Sequence, residues 1–342
     1  MKTVMPYCYS SDKSRMEEVA PDIFRLDMPM PQAIGSTNSY LIKASSGRSE
    51  GDEPADRSLI IDAGCNNDLT KKTYDEALSK LGIRWEEVDV FITHFHWDHW
   101  AGLDQIWQPG MKVYAGVDSV TEHGVPVMAA EEVGVIERSV SAYYGIQDSY
   151  DPEYWKPMTL NGEKDIPLTR VHEGDRIKVG RYYFSVLETP GHDLHHCCLF
   201  DEESKILISG DQMLYNQHPP IMMESDVDQL GLMLETIERL ATLDADLVLC
   251  GHGDPGSNLA QRCAQVIDHY HRQLASFKQV CEGGETDPGK LAYLSTHQGK
   301  RTPWEDRLIF GRRALIAQTM AYLKHLMQTG ELPETYEIVP LR

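Results

Sequence analysis

Seven side chains able to ligate a metal lie along the chain in the order His94, His96, Asp98, His99, His192, Asp211 and His252. The first four share one block, T-H-F-H-W-D-H-W-A-G, from Thr93 to Gly102. The others close T-P-G-H at His192, close S-G-D at Asp211 and centre G-H-G on His252. Imidazoles and carboxylates with no cysteine among them suit zinc, iron or manganese held for hydrolytic or oxygen chemistry. His94 and His96 are two residues apart, so on an extended segment both point to one side and can grip one metal. Asp98 and His99, in the turn just beyond, can face a neighbouring metal. Two ions about 3.5–4 Å apart would share a hydroxide and a bridging carboxylate. Asp211, placed after a strand and a glycine, is the natural bridge.

Such ligands need rigid elements behind them, and the pattern supplies them. Short apolar runs at 22–26, 39–43 and 58–62 read as strands, and 69–81 has helical spacing. A buried strand over 89–93 ends where the histidine block begins. Further strands are predicted at 176–179, 182–188, 197–200, 205–209 and 247–250, with a helix over 230–240. The stretch 116–171 is longer than a simple connection. It holds a helical pattern over 125–144 and the aromatics Tyr143, Tyr144, Tyr150, Tyr154 and Trp155, which read either as core or as the lining of an apolar substrate pocket. From 257 the character changes: Leu259, Cys263, Val266, Tyr270, Leu274, Phe277 and Cys281 recur at steps of three and four in one long amphipathic helix. Gly283 and Gly284 stop it, two more helical stretches follow, and the end has the pattern of a small β-wing. The organisation expected is a catalytic domain over 1–256 and a helical, winged-helix-like domain over 257–342.

Composition narrows the partners. The net charge is −21, and residues 1–260 carry 44 acidic against 21 basic side chains, whereas 261–342 carry 9 against 11. An acidic body disfavours phosphate backbones, so no nucleic-acid partner is expected. No apolar run reaches 18 residues, so no membrane span is expected, and the first dozen residues lack the apolar core of a signal peptide. Seven cysteines, an odd number with no C-x-x-C pair, read as reduced thiols and place the chain in the cytoplasm.

The motifs resemble those of the metallo-β-lactamase superfamily over roughly residues 22–255. Asp62, in L-I-I-D-A-G, is similar to the first of them, an aspartate that orients a metal-bound histidine from behind. The resemblance implies that His94, His96 and His192 hold one metal, that Asp98, His99 and His252 hold a second, and that Asp211 bridges. It implies an α/β fold, the αββα sandwich of two facing sheets with helices outside and the site at one edge. His196 matches a position often filled by histidine there, in a supporting or packing role. Asp211 stands where the secreted zinc β-lactamases carry a cysteine, and no second nuclease domain is inserted between Asp211 and His252. The T-P-G-H-D-L-H-H, S-G-D-Q-M-L and G-H-G-D-P runs look most like members with a C-terminal winged-helix-like domain, several of which cleave acyl thioesters.

The function expected is therefore a metal-dependent hydrolase cleaving an ester-like carbonyl, an acyl thioester first, by a metal-bridging hydroxide. Its cofactors would be two divalent ions, Zn²⁺ first, with iron or manganese as alternatives. Asp98 and Tyr215 are the catalytic candidates, Tyr215 as an oxyanion donor; it follows Asp211 by four positions, where quorum-signal lactonases have a tyrosine at three. A lactonase, a single-strand endoribonuclease and, last, a non-enzymatic ligand-sensing DNA-binding regulator are the rival readings. The expected partner is a small molecule, thioester or lactone, and the apolar C-terminal helices could support a homodimer.

Overall fold

A strand covered on both faces must send alternate side chains into two different cores. The computed structural model, which describes residues 16–30, 36–44, 56–118, 166–221, 223, 226–285, 288–296 and 309–333, is built on this division. Its first sheet has seven strands in chain order: β1 (Met16–Ala20), β2 (Ile23–Pro29), β3 (Ser36–Ile42), β4 (Ser58–Ile61), β5 (Val88–Phe91), β6 (Val113–Ala115) and β7 (Leu168–Arg170). Strands β1 to β4 pair antiparallel, and β4 to β7 parallel. The second sheet comprises β8 (Arg176–Val179), β9 (Tyr182–Glu188), β10 (Cys197–Asp201), β11 (Ile206–Gly210) and β12 (Leu247–Cys250), in the order β12-β11-β10-β9-β8. Its β11–β12 pair is parallel and its other pairs are antiparallel.

Tyr40, Ile42, Leu59, Ile61 and Phe91 of the first sheet meet Phe184, Val186, Leu199, Ile208 and Leu249 of the second in one buried cluster. Their chain neighbours Leu41, Ile60 and Val90 turn the other way. They pack with Tyr74, Ala77 and Leu78 of α1 (Asp68–Leu81) and with Trp100 and Leu103 from the short helices α2 (Trp97–Trp100) and α3 (Leu103–Ile106). Helix α1 is fixed at both ends: the Asn67 side chain accepts from the Leu69 and Thr70 amides, and Gly82 closes it at φ 68°. On the far side, Cys198, Leu207 and Val248 face α4 (Gln229–Leu240) and the C-terminal helices α5 (Leu259–Glu282), α6 (Pro288–Thr296) and α7 (Ile309–Gln328). The layers are helices, sheet, sheet, helices: a mixed α/β sandwich.

The structure departs from the sequence reading at β7. The stretch 116–171 is not one insertion, because β7 returns within it and pairs in parallel with β6. A three-residue edge strand is too short to show a periodicity. The expected helix over 125–144 and the aromatics Tyr143, Tyr144, Tyr150, Tyr154 and Trp155 lie outside the described residues. Among the described residues the C-terminal helices share their core with the second sheet. Tyr270, Phe277, Ile316, Met320 and Leu323 share one cluster with Leu230 and Ile237 of α4 and with Leu207 and Val248 of the sheet. Ile316, Met320 and Leu323 are fully buried within the chain. Residues 334–342, where a wing was expected, lie outside the described residues. Among the described residues no helix is long and apolar enough to cross a membrane, and Cys65, Cys197, Cys198, Cys250, Cys263 and Cys281 are free thiols.

Candidate metal centre

All seven ligand candidates follow the C-terminal ends of strands, where a sheet can hold a loop most rigidly. His94 and His96 leave β5; His96 then caps α2, whose first turn carries Asp98 and His99. His192 lies beyond β9, Asp211 directly follows β11, and His252 lies just past β12. Both sheets thus contribute, and the residues converge at one edge of the sandwich.

The convergence is close. His96 Nδ1 lies 3.1 Å from His94 Nε2 and 2.8 Å from His192 Nε2. His252 Nε2 is 3.2 Å from Asp98 Oδ2 and 3.2 Å from Asp211 Oδ2. His99 Nε2 stands 3.6 Å from both Asp98 Oδ2 and Asp211 Oδ1, and His192 Nε2 is 3.6 Å from Asp211 Oδ2. Three sets emerge whose ligand atoms lie within 4.8 Å of one another: His94, His96 and His192; His94, His99 and Asp211; Asp98, His99 and His252. Asp211 faces both halves. Its Oδ1 and the Nε2 of His99 are buried with no hydrogen-bond partner. Unpaired polar atoms in a dry site are costly, and so are ring nitrogens crowded lone pair to lone pair. A divalent cation satisfies them all, so the donor set fits one.

The outward ring nitrogens are fixed in turn. His99 Nδ1 reaches Asp62 Oδ2 at 2.7 Å, His192 Nδ1 the Pro220 carbonyl at 2.6 Å, and His252 Nδ1 the Ser36 carbonyl at 3.0 Å. Carbonyl oxygens only accept, so Nδ1 of His192 and His252 carries the proton and Nε2 offers its lone pair to the site. Asp62 holds two of the ligand candidates together. Its Oδ1 accepts the Thr93 amide at 2.8 Å and its Oδ2 accepts the Thr93 hydroxyl at 2.8 Å. That hydroxyl, having donated, is left to accept from His94 Nδ1 at 3.0 Å. Asp62 does this at φ 59°, a left-handed conformation that costs a non-glycine residue about 1–3 kcal/mol and that persists only where its surroundings enforce it. Asp62→Asn is expected to weaken metal retention about 10–100-fold, the range for a partner behind a ligand. Competition with a chelator measures it, and an affinity within twofold of the wild type would contradict the role.

Thr93 was visible only as the first letter of its motif, and its work between Asp62 and His94 was not. Thr37 carried no signal at all: it is fully buried on β3, 61 residues from Asp98, and donates to Asp98 Oδ2 at 2.8 Å. Strand β3 also stitches the His252 loop to the first sheet. Asn38 Nδ2 donates to the Cys250 and Gly253 carbonyls at 2.9 and 2.7 Å, and the Tyr40 hydroxyl donates to Cys250 O at 2.7 Å. Two motif glycines are required by close approach. A Cβ on Gly251 would collide with Asp211 Oδ1, and one on Gly210 (φ 47°) would sit 2.6 Å from His196 Nε2 and 2.7 Å from Thr93 Oγ1.

His196 lies behind the ligands. Its ring stacks on that of His94 at 5.1 Å and 28°, and its Nδ1 meets Thr189 Oγ1 at 2.7 Å. Tyr215 is not among the residues brought together. Its ring lies over Gly256 with the Arg262 guanidinium 6.0 Å from the ring centre, and its hydroxyl is buried without a partner.

Charge in the site is divided. Burial and the neighbouring imidazoles push His94 well down, His192 to about 4 and His196 to about 3, so these rings are neutral donors. Burial would raise Asp98 and Asp211, but the His99 and His252 imidazoles outweigh it and hold both carboxyls far below their ordinary range. For His99, burial acts downward, yet Asp98, Asp211 and Asp62 raise it to about 9. Two ionised carboxylates beside the neutral rings of His94 and His192 make a cation-binding cradle.

The chain is 27% identical over 279 residues to the probable metallo-hydrolase YqjP of Bacillus subtilis (strain 168), covering 76% of this chain and 81% of that one. It is 20% identical over 288 residues, 83% and 72% of the two chains, to the atrochrysone carboxyl ACP thioesterase AgnL7 of Paecilomyces divaricatus. Among solved structures, a metallo-beta-lactamase family protein of Thermus thermophilus superposes with a TM-score of 0.72 at 21% identity, covering 91% of this chain and 95% of that one. The model of the metallo-beta-lactamase superfamily matches residues 34–252, the span that holds every ligand candidate, and the chain belongs to that superfamily.

Proposed function

We propose that this protein is a metal-dependent hydrolase of an ester-like carbonyl, an acyl thioester in the first place. The observation that carries the reading is the Asp211 carboxylate set between two groups of donors, with Asp98, held by Thr37, beside it. His94, His96 and His192 would hold one divalent ion, and Asp98, His99 and His252 a second, with Asp211 facing both. Bound ions supply Lewis acidity and bring the pKa of water towards neutral.

The remaining work falls to the chain. Asp98 orients the attacking water and passes its proton towards the leaving group. Thr37, donating to Asp98 Oδ2, keeps that carboxylate from turning. Asp62 and Thr93 keep His99 and His94 aimed inward. A thiolate needs little acid help to leave, which suits a site whose carboxylates stay ionised. The relative named as a thioesterase supports the substrate class.

Two experiments test this. A purified, chelator-stripped enzyme should hydrolyse an acyl-CoA thioester only after Zn²⁺, Fe²⁺ or Mn²⁺ is restored. Hydrolysis indifferent to stripping would overturn the reading. Thr37→Val, which keeps the shape and loses the hydroxyl, should lower kcat about tenfold, or about 1.4 kcal/mol, with KM little changed. An unchanged kcat would remove Thr37 from the account.

A further inference from the structure

The C-terminal helix α5 packs against the loop that links Asp211 to the support of His192. That loop, 214–220, belongs to no helix or strand, so its carbonyls need partners from elsewhere. Helix α5 supplies them from two buried side chains eight residues apart, about 12 Å along its axis. Arg262 donates through Nε to the Leu214 carbonyl at 2.7 Å and through Nη2 to the Gln217 carbonyl at 2.6 Å. The Tyr270 hydroxyl donates to the Pro219 carbonyl at 2.6 Å. The next carbonyl, that of Pro220, accepts His192 Nδ1 at 2.6 Å.

We infer that Arg262 and Tyr270 are positioning residues for the metal centre, and that α5 sets the tautomer and aim of His192 through the Pro219–Pro220 peptide. The transmission is mechanical. Tyr270 pins the Pro219 carbonyl and with it the plane of the following peptide. The ring of Pro220 fixes φ, so one torsion alone separates that plane from the Pro220 carbonyl. An aimed carbonyl demands a proton on His192 Nδ1 and leaves the Nε2 lone pair facing His96 Nδ1, 2.8 Å away. Other contacts complete the grip on His192: its amide donates to Gln212 Oε1 and its carbonyl accepts from Gln229 Nε2, both at 3.3 Å. Arg262 holds the start of the loop so that this end cannot drift. A lysine there keeps the charge but loses the fork that reaches two carbonyls.

This inference rests on the reading of His192 as a ligand, and the experiment separates the two. The probe is Co²⁺, with its affinity for the metal-free protein read by competition with a chelating indicator. Wild type, Tyr270→Phe, Arg262→Lys, His192→Ala and the double variant Tyr270→Phe/His192→Ala are compared, each with a melting curve of the metal-free form. Tyr270→Phe and Arg262→Lys should each weaken Co²⁺ binding about tenfold, the lower end for a partner behind a ligand, with a metal-free Tm within about 3 °C of the wild type. In the His192→Ala background, Tyr270→Phe should cost nothing more, because the residue it positions is gone. Wild-type affinity in both single variants, or a Tyr270→Phe loss that adds in full to that of His192→Ala, overturns the inference while the site stands. Unchanged binding in His192→Ala overturns the ligand reading and the inference with it.

Discussion

Asp211→Ala is expected to strip the centre of its metal and to abolish turnover. The carboxylate lies 3.2 Å from His252 Nε2 and 3.6 Å from both His99 Nε2 and His192 Nε2, so among the described residues no other side chain touches both halves in the same way. Removing a partner behind a ligand costs metal affinity about 10–100-fold, and removing a shared ligand should exceed 100-fold. Turnover should fall about 10³- to 10⁴-fold, equivalent to about 4–5.5 kcal/mol of barrier. Metal content after gel filtration and kcat at saturating substrate measure the two effects. A variant that keeps its metal and a tenth of its activity would show that Asp211 is not the residue around which the site is organised.

Asp98→Asn is expected to have the second large effect. Asparagine keeps the shape, and its carbonyl still accepts from Thr37, which is 2.8 Å from Asp98 Oδ2 in the native protein. It loses the charge that orients water and takes the proton. The expected result is a kcat about 10³-fold lower, roughly 4 kcal/mol, with KM changed far less. Near-native kcat would contradict the place given to Asp98. The contrast matters as much as the size: Asp211→Ala should lose metal from both halves, and Asp98→Asn should fail with the ion of His94, His96 and His192 still bound.

The ligand candidates were legible because local spacing constrains them. His94, His96, Asp98 and His99 share one strand end and one turn, and a strand brings residues two apart to the same side. The strands were legible as short apolar runs, and α1, α4 and α5 as apolar residues at helical spacing, with a glycine stop after α5. What supports the ligands was largely illegible. Thr37 lies 61 residues from Asp98, and the carbonyls of Pro220 and Ser36 lie 28 and 216 residues from the rings they fix. A carbonyl has no sequence signature, since every residue carries one. The helical pattern of α5 identified a buried face without identifying what lies against it; that face turned out to join the core of the second sheet. Strand β7, three residues at a sheet edge, was hidden within the long 116–171 stretch.

The most direct measurement of the central claim is kcat/KM on a matched panel of acyl-CoA thioesters, lactones and single-stranded RNA. Metal-loaded wild type and Asp98→Asn would be run side by side. Selective thioester turnover that falls about 10³-fold in the variant is the predicted result. Silence on every thioester and lactone, with cleavage of RNA that Asp98→Asn abolishes, would contradict it.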